Sequence, residues 1–324
     1  MLGDDIEKMN DQELSQLVEK TSVFAKLSPS QKVRIIELLK NNGHTVGFMG
    51  DGINDAAGLE KADVGISVSN AVDIAKESAN VILLEKDLMV LEKGVIEGRK
   101  IYANMLKYIK ITASSNFGNV FSILFASLLI PFLPMQPIHL LILNMIYDIS
   151  CISFPWDNVD ISYLKEPRKW EAKSISSFMI QFGPISSIFD FLTYFILYYQ
   201  ICPLFTNGVL FTKLADPKLK LVYIAIFHAG WFIESMLSQT LVIHMLRTSK
   251  IPFKQSRPST VLLWLNTISI FFVFFLVNSD VGMLLGFHAL PRIYLAYLLI
   301  IIVLYMILIS LVKKHYLKNH AEIL

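Results

Sequence analysis

Long apolar stretches dominate the chain after Lys110 and predict membrane-spanning helices. No charged side chain occurs between Ile111 and Tyr147, and this stretch is too long for one helix because a single crossing takes about 20 residues. Prolines between Pro131 and Pro137 interrupt it and predict a turn. We therefore expect six spans, at about 111–131, 138–154, 175–201, 221–246, 259–278 and 293–312.

Basic residues are distributed unevenly among the loops of this predicted bundle. The segments after the second, fourth and sixth spans are rich in Lys and Arg, whereas the alternate loops contain fewer of them. Because Lys and Arg concentrate in cytoplasmic loops, we expect both termini to be cytoplasmic, with a tail at 313–324. The lipid bilayer is the partner that these spans predict.

Residues 22–85 show a different pattern, in which short apolar runs alternate with helical segments. Ser28 and Gln31 form a capping-box sequence with Pro29 at the first helical position, ahead of a helix over 32–40. Further helices are predicted at 54–62 and 71–79, and strands at 44–49, 64–68 and 81–84. Strands separated by helices of this length indicate a parallel α/β sheet.

The composition supports a soluble part joined to a membrane part. Hydrophobic residues make up 54% of the 324 residues and charged residues 17%, against roughly 45–50% and 25% in soluble domains. The first 100 residues hold 17 acidic and 12 basic residues, whereas the remaining 224 hold 10 and 17. The net charge of +2 argues against a nucleic-acid-binding protein, and the two cysteines predict neither a disulfide framework nor a zinc cluster.

A glycine-rich loop, 50–55, follows the strand predicted at 44–49 and precedes a helix. Its sequence, Gly-Asp-Gly-Ile-Asn-Asp, places Asp51, Asn54 and Asp55 where ligands bind in parallel sheets, at the carboxyl end of a strand. Such oxygens suit a Mg²⁺–phosphate site, and Lys32 could balance phosphate charge at the same sheet edge. The alternative is an ordinary Asp-Gly turn that caps the next helix; the full hexapeptide favours the metal–phosphate site.

Polar side chains within the predicted spans form stripes at helical spacing. The first stripe includes Asn116 and Asn119, the second Asn144 and Asp148, and Glu234 lies in the fourth span. Interhelical hydrogen bonding could explain such residues, but carboxylates in a membrane normally face a partner or a wet cavity. Oxygen groups with few carboxylates favour a hard cation such as Mg²⁺ over zinc or copper.

Two cytoplasmic segments and three membrane segments together resemble the C-terminal part of a P-type ATPase. The cytoplasmic segments are 24–32 and 49–55, and the membrane segments are 113–121, 144–148 and 231–240, extended by 246–253. Among the subfamilies, the chain is most similar to bacterial magnesium-transporting ATPases. The resemblance covers essentially the whole chain.

The resemblance implies a division of the chain and roles for its residues. Residues 1–86 would be the C-terminal half of a haloacid-dehalogenase-like, partly Rossmann-like phosphorylation domain, 87–110 a stalk helix, and 111–312 the bundle. Mg²⁺ and ATP are the implied cofactors, and Mg²⁺ is the implied transported ion. The implied location is the plasma (inner) membrane. The implied catalytic residues are Lys32, Asp51, Asn54 and Asp55; Lys32, Gly50, Asp51 and Asn54 would bind phosphate, and Asp51 and Asp55 the cytoplasmic Mg²⁺. The implied ligands of the transported ion are Asn116, Asn119, Asn144 and Asp148, and Glu234 is a weaker candidate.

The chain also departs from the family pattern. It has no Asp-Lys-Thr-Gly-Thr segment with the phosphorylated aspartate, and no nucleotide-binding domain or first four membrane helices. We therefore expect the chain alone to be inactive and to need a missing N-terminal pump portion. Three alternatives stay open at this point: a noncatalytic subunit or regulator of such a pump, a pump for Ca²⁺ or another cation, and a membrane-bound phosphatase.

Overall fold

The computed structural model of the protein describes residues 1–85, 87–168, 170–320 and 323, which form two compact units, Met1–Glu97 and Gly98–Leu324. The boundary between the units falls within the helix Leu88–Leu129 (α6). Each unit has its own apolar core.

The described residues of the first unit form three strands and five short helices ahead of α6. The strands are β1 (Gly47–Met49), β2 (Val64–Val68) and β3 (Val81–Leu83), and the helices are α1 (Gly3–Glu7), α2 (Asp11–Val18), α3 (Pro29–Asn41), α4 (Ala56–Lys61) and α5 (Asp73–Glu77). The strands pair in parallel in the order β1-β2-β3, with Met49 opposite Ile66 and Ile66 opposite Val81. The predicted parallel sheet is therefore present, although β1 is shorter than predicted and α4 begins after a 3-10 turn at Ile53–Asp55.

Local sequence explains where α3 begins. The Ser28 hydroxyl accepts a hydrogen bond from the Gln31 N–H, and the Gln31 side chain accepts one from the Ser28 N–H. This reciprocal capping box satisfies donors that the helix itself cannot. Ile35 and Leu38 of α3 then pack with Ile6 and Leu14, so the helix is fixed at both its start and its apolar face.

The second unit is a helical bundle. Its helices are α6 beyond Gly98, α7 (Pro137–Cys151), α8 (Ile161–Leu164), α9 (Ala172–Ile196), α10 (Pro217–Leu246), α11 (Thr260–Val277), α12 (Asp280–Leu284) and α13 (Arg292–Asn319). Helix α9 continues as a π-helical segment, Leu197–Ile201, and a 3-10 turn, Cys202–Phe205. Helix α10 lies at the centre of the bundle, because it contacts α7, α9, α11 and α13.

Five segments of the described chain are long and apolar enough to cross a membrane, against the six spans that we predicted. They are Pro137–Trp156, Ala172–Phe205, Pro217–Leu246, Thr260–Val277 and Arg292–Asn319. The other predicted span, 111–131, coincides with the last part of α6, which is helical but less apolar. Its Thr112, Ser115, Asn116 and Asn119 account for this difference, since polar side chains lower the mean hydropathy.

Helices α6 and α9 approach closely at two glycines. A Cβ added to Gly118 would meet the carbonyl oxygen of Gly183 at 2.7 Å, and one added to Gly183 would meet the Phe117 ring at 2.8 Å. The Ser187 hydroxyl donates to the Gly118 carbonyl across the same contact, at 3.0 Å. Small residues let helix backbones approach each other in membranes, so this pair fixes the spacing of the two helices.

A buried ion cluster joins four segments of the second unit. The Asp157 carboxylate, which follows α7, accepts hydrogen bonds from Lys107 Nζ of α6 at 2.6 Å and from Arg247 Nε, at the end of α10, at 2.9 Å. It also accepts from the backbone N–H of Ser259, at the start of α11. The three charged side chains are at most 1% exposed.

Replacement of Gly118 by Ala should destabilise the bundle, because the new methyl group would overlap the Gly183 carbonyl. We expect a loss of about 1–3 kcal/mol, typical of overpacking, measured as a lower unfolding temperature of the full chain in detergent. The control is Gly98→Ala in the same helix, where an added Cβ meets no atom within 4 Å and alanine is the better helix former. Equal destabilisation by the two changes would contradict the close helix contact.

Candidate functional site

The Gly50–Asp55 loop leaves the carboxyl end of β1 and is anchored to β2. The Gly50 N–H donates to the Ile66 carbonyl at 3.0 Å, and the Ser67 hydroxyl donates to the Gly50 carbonyl at 2.9 Å. A Cβ added to Gly50 would overlap the Asp55 side chain. The loop therefore needs a glycine at this position to fold back on Asp55.

Lys32 reaches this loop from the first turn of α3. Its Nζ donates to Asp55 Oδ1 at 2.6 Å, while the Gly52 N–H donates to Asp55 Oδ2 at 3.1 Å. Burial alone would raise the pKa of Asp55, but the hydrogen bond and charge of Lys32 and the N–H of Gly52 outweigh it, so the pKa lies below its ordinary value. Asp55 is thus an ionised carboxylate held by an ammonium group and a backbone donor.

Asp51 and Asn54 stand on the same loop with exposed side chains. The Asp51 carbonyl accepts a hydrogen bond from the Val72 N–H at 3.1 Å, which fixes its backbone. No group of three or more His, Cys, Asp or Glu side chains able to hold a metal ion occurs within the described residues. Mg²⁺ needs only one or two carboxylates beside phosphate and water oxygens, so this loop fits Mg²⁺ with Asp51 as its open carboxylate and Asp55 engaged by Lys32.

Two of the predicted membrane ligands share a groove. Asn144 and Asp148, one turn apart on α7, are exposed and line a mostly apolar groove of about 890 Å³ with Asn104 and Tyr108 of α6. A carboxylate and two amides inside an apolar wall can hold a hard cation through oxygen atoms.

The other predicted ligands are placed differently. Asn119 is half-buried, and its Oδ1 accepts a hydrogen bond from Gln239 Nε2 at 3.2 Å, whereas Asn116 is exposed. Glu234 is fully buried within α10, and neither of its carboxyl oxygens has a hydrogen-bond partner among the described residues. No hydrogen bond in the described part of the bundle joins these residues to Asn144 or Asp148.

Asp190 of α9 lies in the core of the bundle. The carboxylate is 3% exposed and accepts hydrogen bonds from Trp231 Nε1 and Ser122 Oγ. The sequence signal for this position is an ionisable residue inside an apolar span, which normally faces the interior of the bundle or a partner. Its indole partner, 41 residues away, could not be identified from spacing along one helix.

His139 of α7 and His228 of α10 each use one ring nitrogen in a hydrogen bond to a backbone carbonyl. His139 Nε2–H donates to the Leu285 carbonyl at 2.7 Å, and His228 Nε2–H donates to the Leu133 carbonyl at 2.8 Å. These bonds agree with a structural role for both side chains.

Comparisons with known proteins agree on one family. Residues 132–315 match the family described as "Cation transporting ATPase, C-terminus". The "Magnesium-transporting ATPase, P-type 1" of Salmonella typhimurium is 50% identical over 322 residues, which cover 99% of this chain and 34% of that protein. The protein of the same description from Escherichia coli (strain K12) is 49% identical over 321 residues, with the same coverage.

A more distant similarity links the chain to a calcium pump. The "Calcium-transporting ATPase 1" of Bacillus cereus is 36% identical over 184 residues, covering 56% of this chain and 21% of that protein. The chain spans 34% of the length of the two magnesium-transporting relatives, and it aligns with them over nearly all of its own length. It is a multi-pass membrane chain that belongs to the cation-transporting ATPase family, whose C-terminal region it matches.

Proposed function

We propose that this chain is the C-terminal part of an ATP-driven P-type pump that imports Mg²⁺ across the plasma membrane. The observation that carries this proposal is the 50% identity with a magnesium-transporting ATPase over 99% of the chain. Residues 1–86 would form the C-terminal half of the phosphorylation domain, 87–110 the stalk, and six helices after it the membrane domain. Both termini would be cytoplasmic, in keeping with the Lys- and Arg-rich loops.

The loop after β1 would serve the phosphoryl group. Asp51 would hold the cytoplasmic Mg²⁺, which supplies charge neutralisation when bound. Lys32, positioned by Asp55, would face the transferred phosphoryl group, and Gly50 and Asn54 would line the same site. The role of Asp55 in this arrangement is to hold the Lys32 ammonium group at the loop, which the 2.6 Å ion pair supports.

The groove on α7 would take the transported ion. Asn144 and Asp148 provide an amide and a carboxylate on one helix turn, and both side chains are accessible. Asn116 and Asn119 of α6 would complete the ligand set in the assembled pump, with Glu234 as a weaker candidate. This set has one carboxylate among amides, which suits a cation that keeps part of its water shell.

On its own, the chain would form no aspartyl phosphate, because it has no Asp-Lys-Thr-Gly-Thr segment. ATP would be bound by a nucleotide-binding domain that this sequence does not contain. A Ca²⁺ pump is the second candidate, favoured by the similarity to the Bacillus cereus protein, but that similarity covers only 56% of the chain.

Lys32 is tested in a chimaera in which this chain replaces the matching third of the Salmonella typhimurium relative. We expect Lys32→Met to lower ATP turnover by about 10²–10³-fold, as for loss of one group that stabilises charge in the transition state. Lys40→Met is the control, since Lys40 lies on the same helix but contacts Asp63 and the Lys61 carbonyl. If ATP turnover falls equally in both variants, the role of Lys32 is contradicted. The chain without the relative's portion gives the background rate.

Asp148 is tested in the same chimaera by measuring Mg²⁺ uptake. Asp148→Asn keeps the size of the side chain but removes its charge, so we expect uptake to be lost. Asp280→Asn, at an exposed position at the start of α12, should leave uptake unchanged. Undiminished uptake in Asp148→Asn would mean that the ion site lies elsewhere.

The lowered pKa of Asp55 predicts a pH-dependent hydrogen bond. A carboxylate whose folded pKa is below its unfolded value stabilises the fold fully above the unfolded value, 3.8, and loses that effect as the pH falls through the folded value. We therefore expect hydrogen exchange at the Gly52 N–H, corrected for its intrinsic rate, to accelerate only below pH 3.8. The Gly50 N–H, which donates to a carbonyl, is the internal control. An increase in the exchange rate above that pH, or the same increase in the Asp55→Asn variant, would contradict the bond between the Gly52 N–H and an ionised Asp55.

A further inference from the structure

A buried lysine of α6 has its hydrogen-bond acceptor at the far end of the chain. Lys110 is 2% exposed, and its Nζ donates to the Ile323 carbonyl at 3.1 Å. The two residues are 213 positions apart. Because a buried ammonium group without a partner is costly, the packing around Lys110 depends on Ile323.

Ile323 is held by further contacts. Its N–H donates to Ser249 Oγ, just beyond the end of α10, at 3.2 Å. Its side chain is fully buried and belongs to the apolar core of the bundle. Ile323 therefore connects α6 to the segment after α10. We call the two hydrogen bonds and the buried side chain the Ile323 contact.

Lys110 has a weaker partner than the neighbouring buried lysine of α6. Lys107 Nζ donates to the charged Asp157 carboxylate at 2.6 Å. Lys110 Nζ instead meets a neutral carbonyl and lies 5.8 Å from the centre of the Phe178 ring. A carboxylate carries a full negative charge, so it compensates an ammonium group more strongly than a carbonyl does. Of these two anchors of α6, the one at Lys110 is therefore the easier to open.

The position of Ile323 in the chain also favours opening. Helix α13 ends at Asn319, and Ile323 lies beyond it, outside any helix or strand. Segments beyond the last helix are ordered only where contacts tie them down. Local opening is easiest where few contacts must break, and here two hydrogen bonds and one buried side chain provide the hold.

We propose that the Ile323 contact is a releasable strap, which fixes α6 at the point where its uncharged stretch begins. While the contact is made, the Lys110 ammonium group has its acceptor and α6 is tied to the segment after α10. When the contact opens, the ammonium group loses this acceptor and α6 loses one of its two anchors. The strap does not depend on the proposed pump function. In that function it would act on the helix that carries Asn116 and Asn119.

Hydrogen–deuterium exchange of the full chain in nanodiscs, read by mass spectrometry, tests the strap. Ile323→Asp should expel the side chain from the apolar core and open both hydrogen bonds. We expect amide exchange in the α6 peptide around Lys110 to become about 10–100-fold faster, as for the loss of one hydrogen bond to a charged group. Asn319→Asp adds the same charge at an exposed position at the end of α13 and should leave the rate unchanged.

A double variant separates the strap from a general loss of stability. In Lys110→Met/Ile323→Asp, no buried ammonium group is left without its acceptor. Exchange in the α6 peptide should therefore be slower than in Ile323→Asp alone. A general destabilisation of the bundle would instead make the double variant exchange at least as fast, and that result would overturn the proposal.

An α6 exchange rate that is unchanged in Ile323→Asp, or equally raised in Asn319→Asp, would also overturn it. Circular dichroism of each variant shows a folding failure separately. Where Ile323→Asp fails to fold, Ser249→Ala decides, because it removes only the acceptor of the Ile323 N–H. We expect this variant to accelerate exchange in the same α6 peptide, and an unchanged rate there would overturn the proposal.

Discussion

The Asp157 carboxylate holds one end of the membrane bundle together. It accepts from Lys107, Arg247 and the backbone of Ser259, and so connects α6, α10 and the start of α11 to the segment after α7. Two cations around one buried anion are tolerated because Arg247 also donates to the carbonyl oxygens of Ser256 and Arg257. The helices that carry the candidate ion ligands are therefore positioned by an interaction that contains none of those ligands.

Acidic groups in the bundle fall into two environments with different chemistry. Asp148 is exposed and lines the mostly apolar groove that α7 shares with α6. Asp190 and Glu234 are enclosed, and among the described residues an indole and a hydroxyl donate hydrogen bonds to the Asp190 carboxylate. The first environment suits a hard divalent cation, whereas a carboxylate in the second must be paired or hydrogen-bonded to offset its burial.

Much of the architecture follows from local sequence, since apolar length predicts a span and the Ser28–Gln31 capping box predicts the start of α3. Lys32 could be placed near the loop after β1, because parallel strands and the helices between them bring those ends to one sheet edge. The Asp157 cluster and the Asp190–Trp231 contact could not be predicted, since each joins residues more than 40 positions apart along the chain. The polar side chains of α6 that suggest an ion-binding role, such as Asn116 and Asn119, also lower its mean hydropathy. The same residues therefore make this span hard to recognise from hydropathy alone.

The most direct measurement is ion import by the chimaera that carries the unaltered chain, in cells that lack their own Mg²⁺ transporters. We expect ATP-dependent import of Mg²⁺ and none of Ca²⁺, at a level comparable with that of the intact relative. Transport of Ca²⁺ in place of Mg²⁺, or no transport by a chimaera that is present and folded in the membrane, would contradict it.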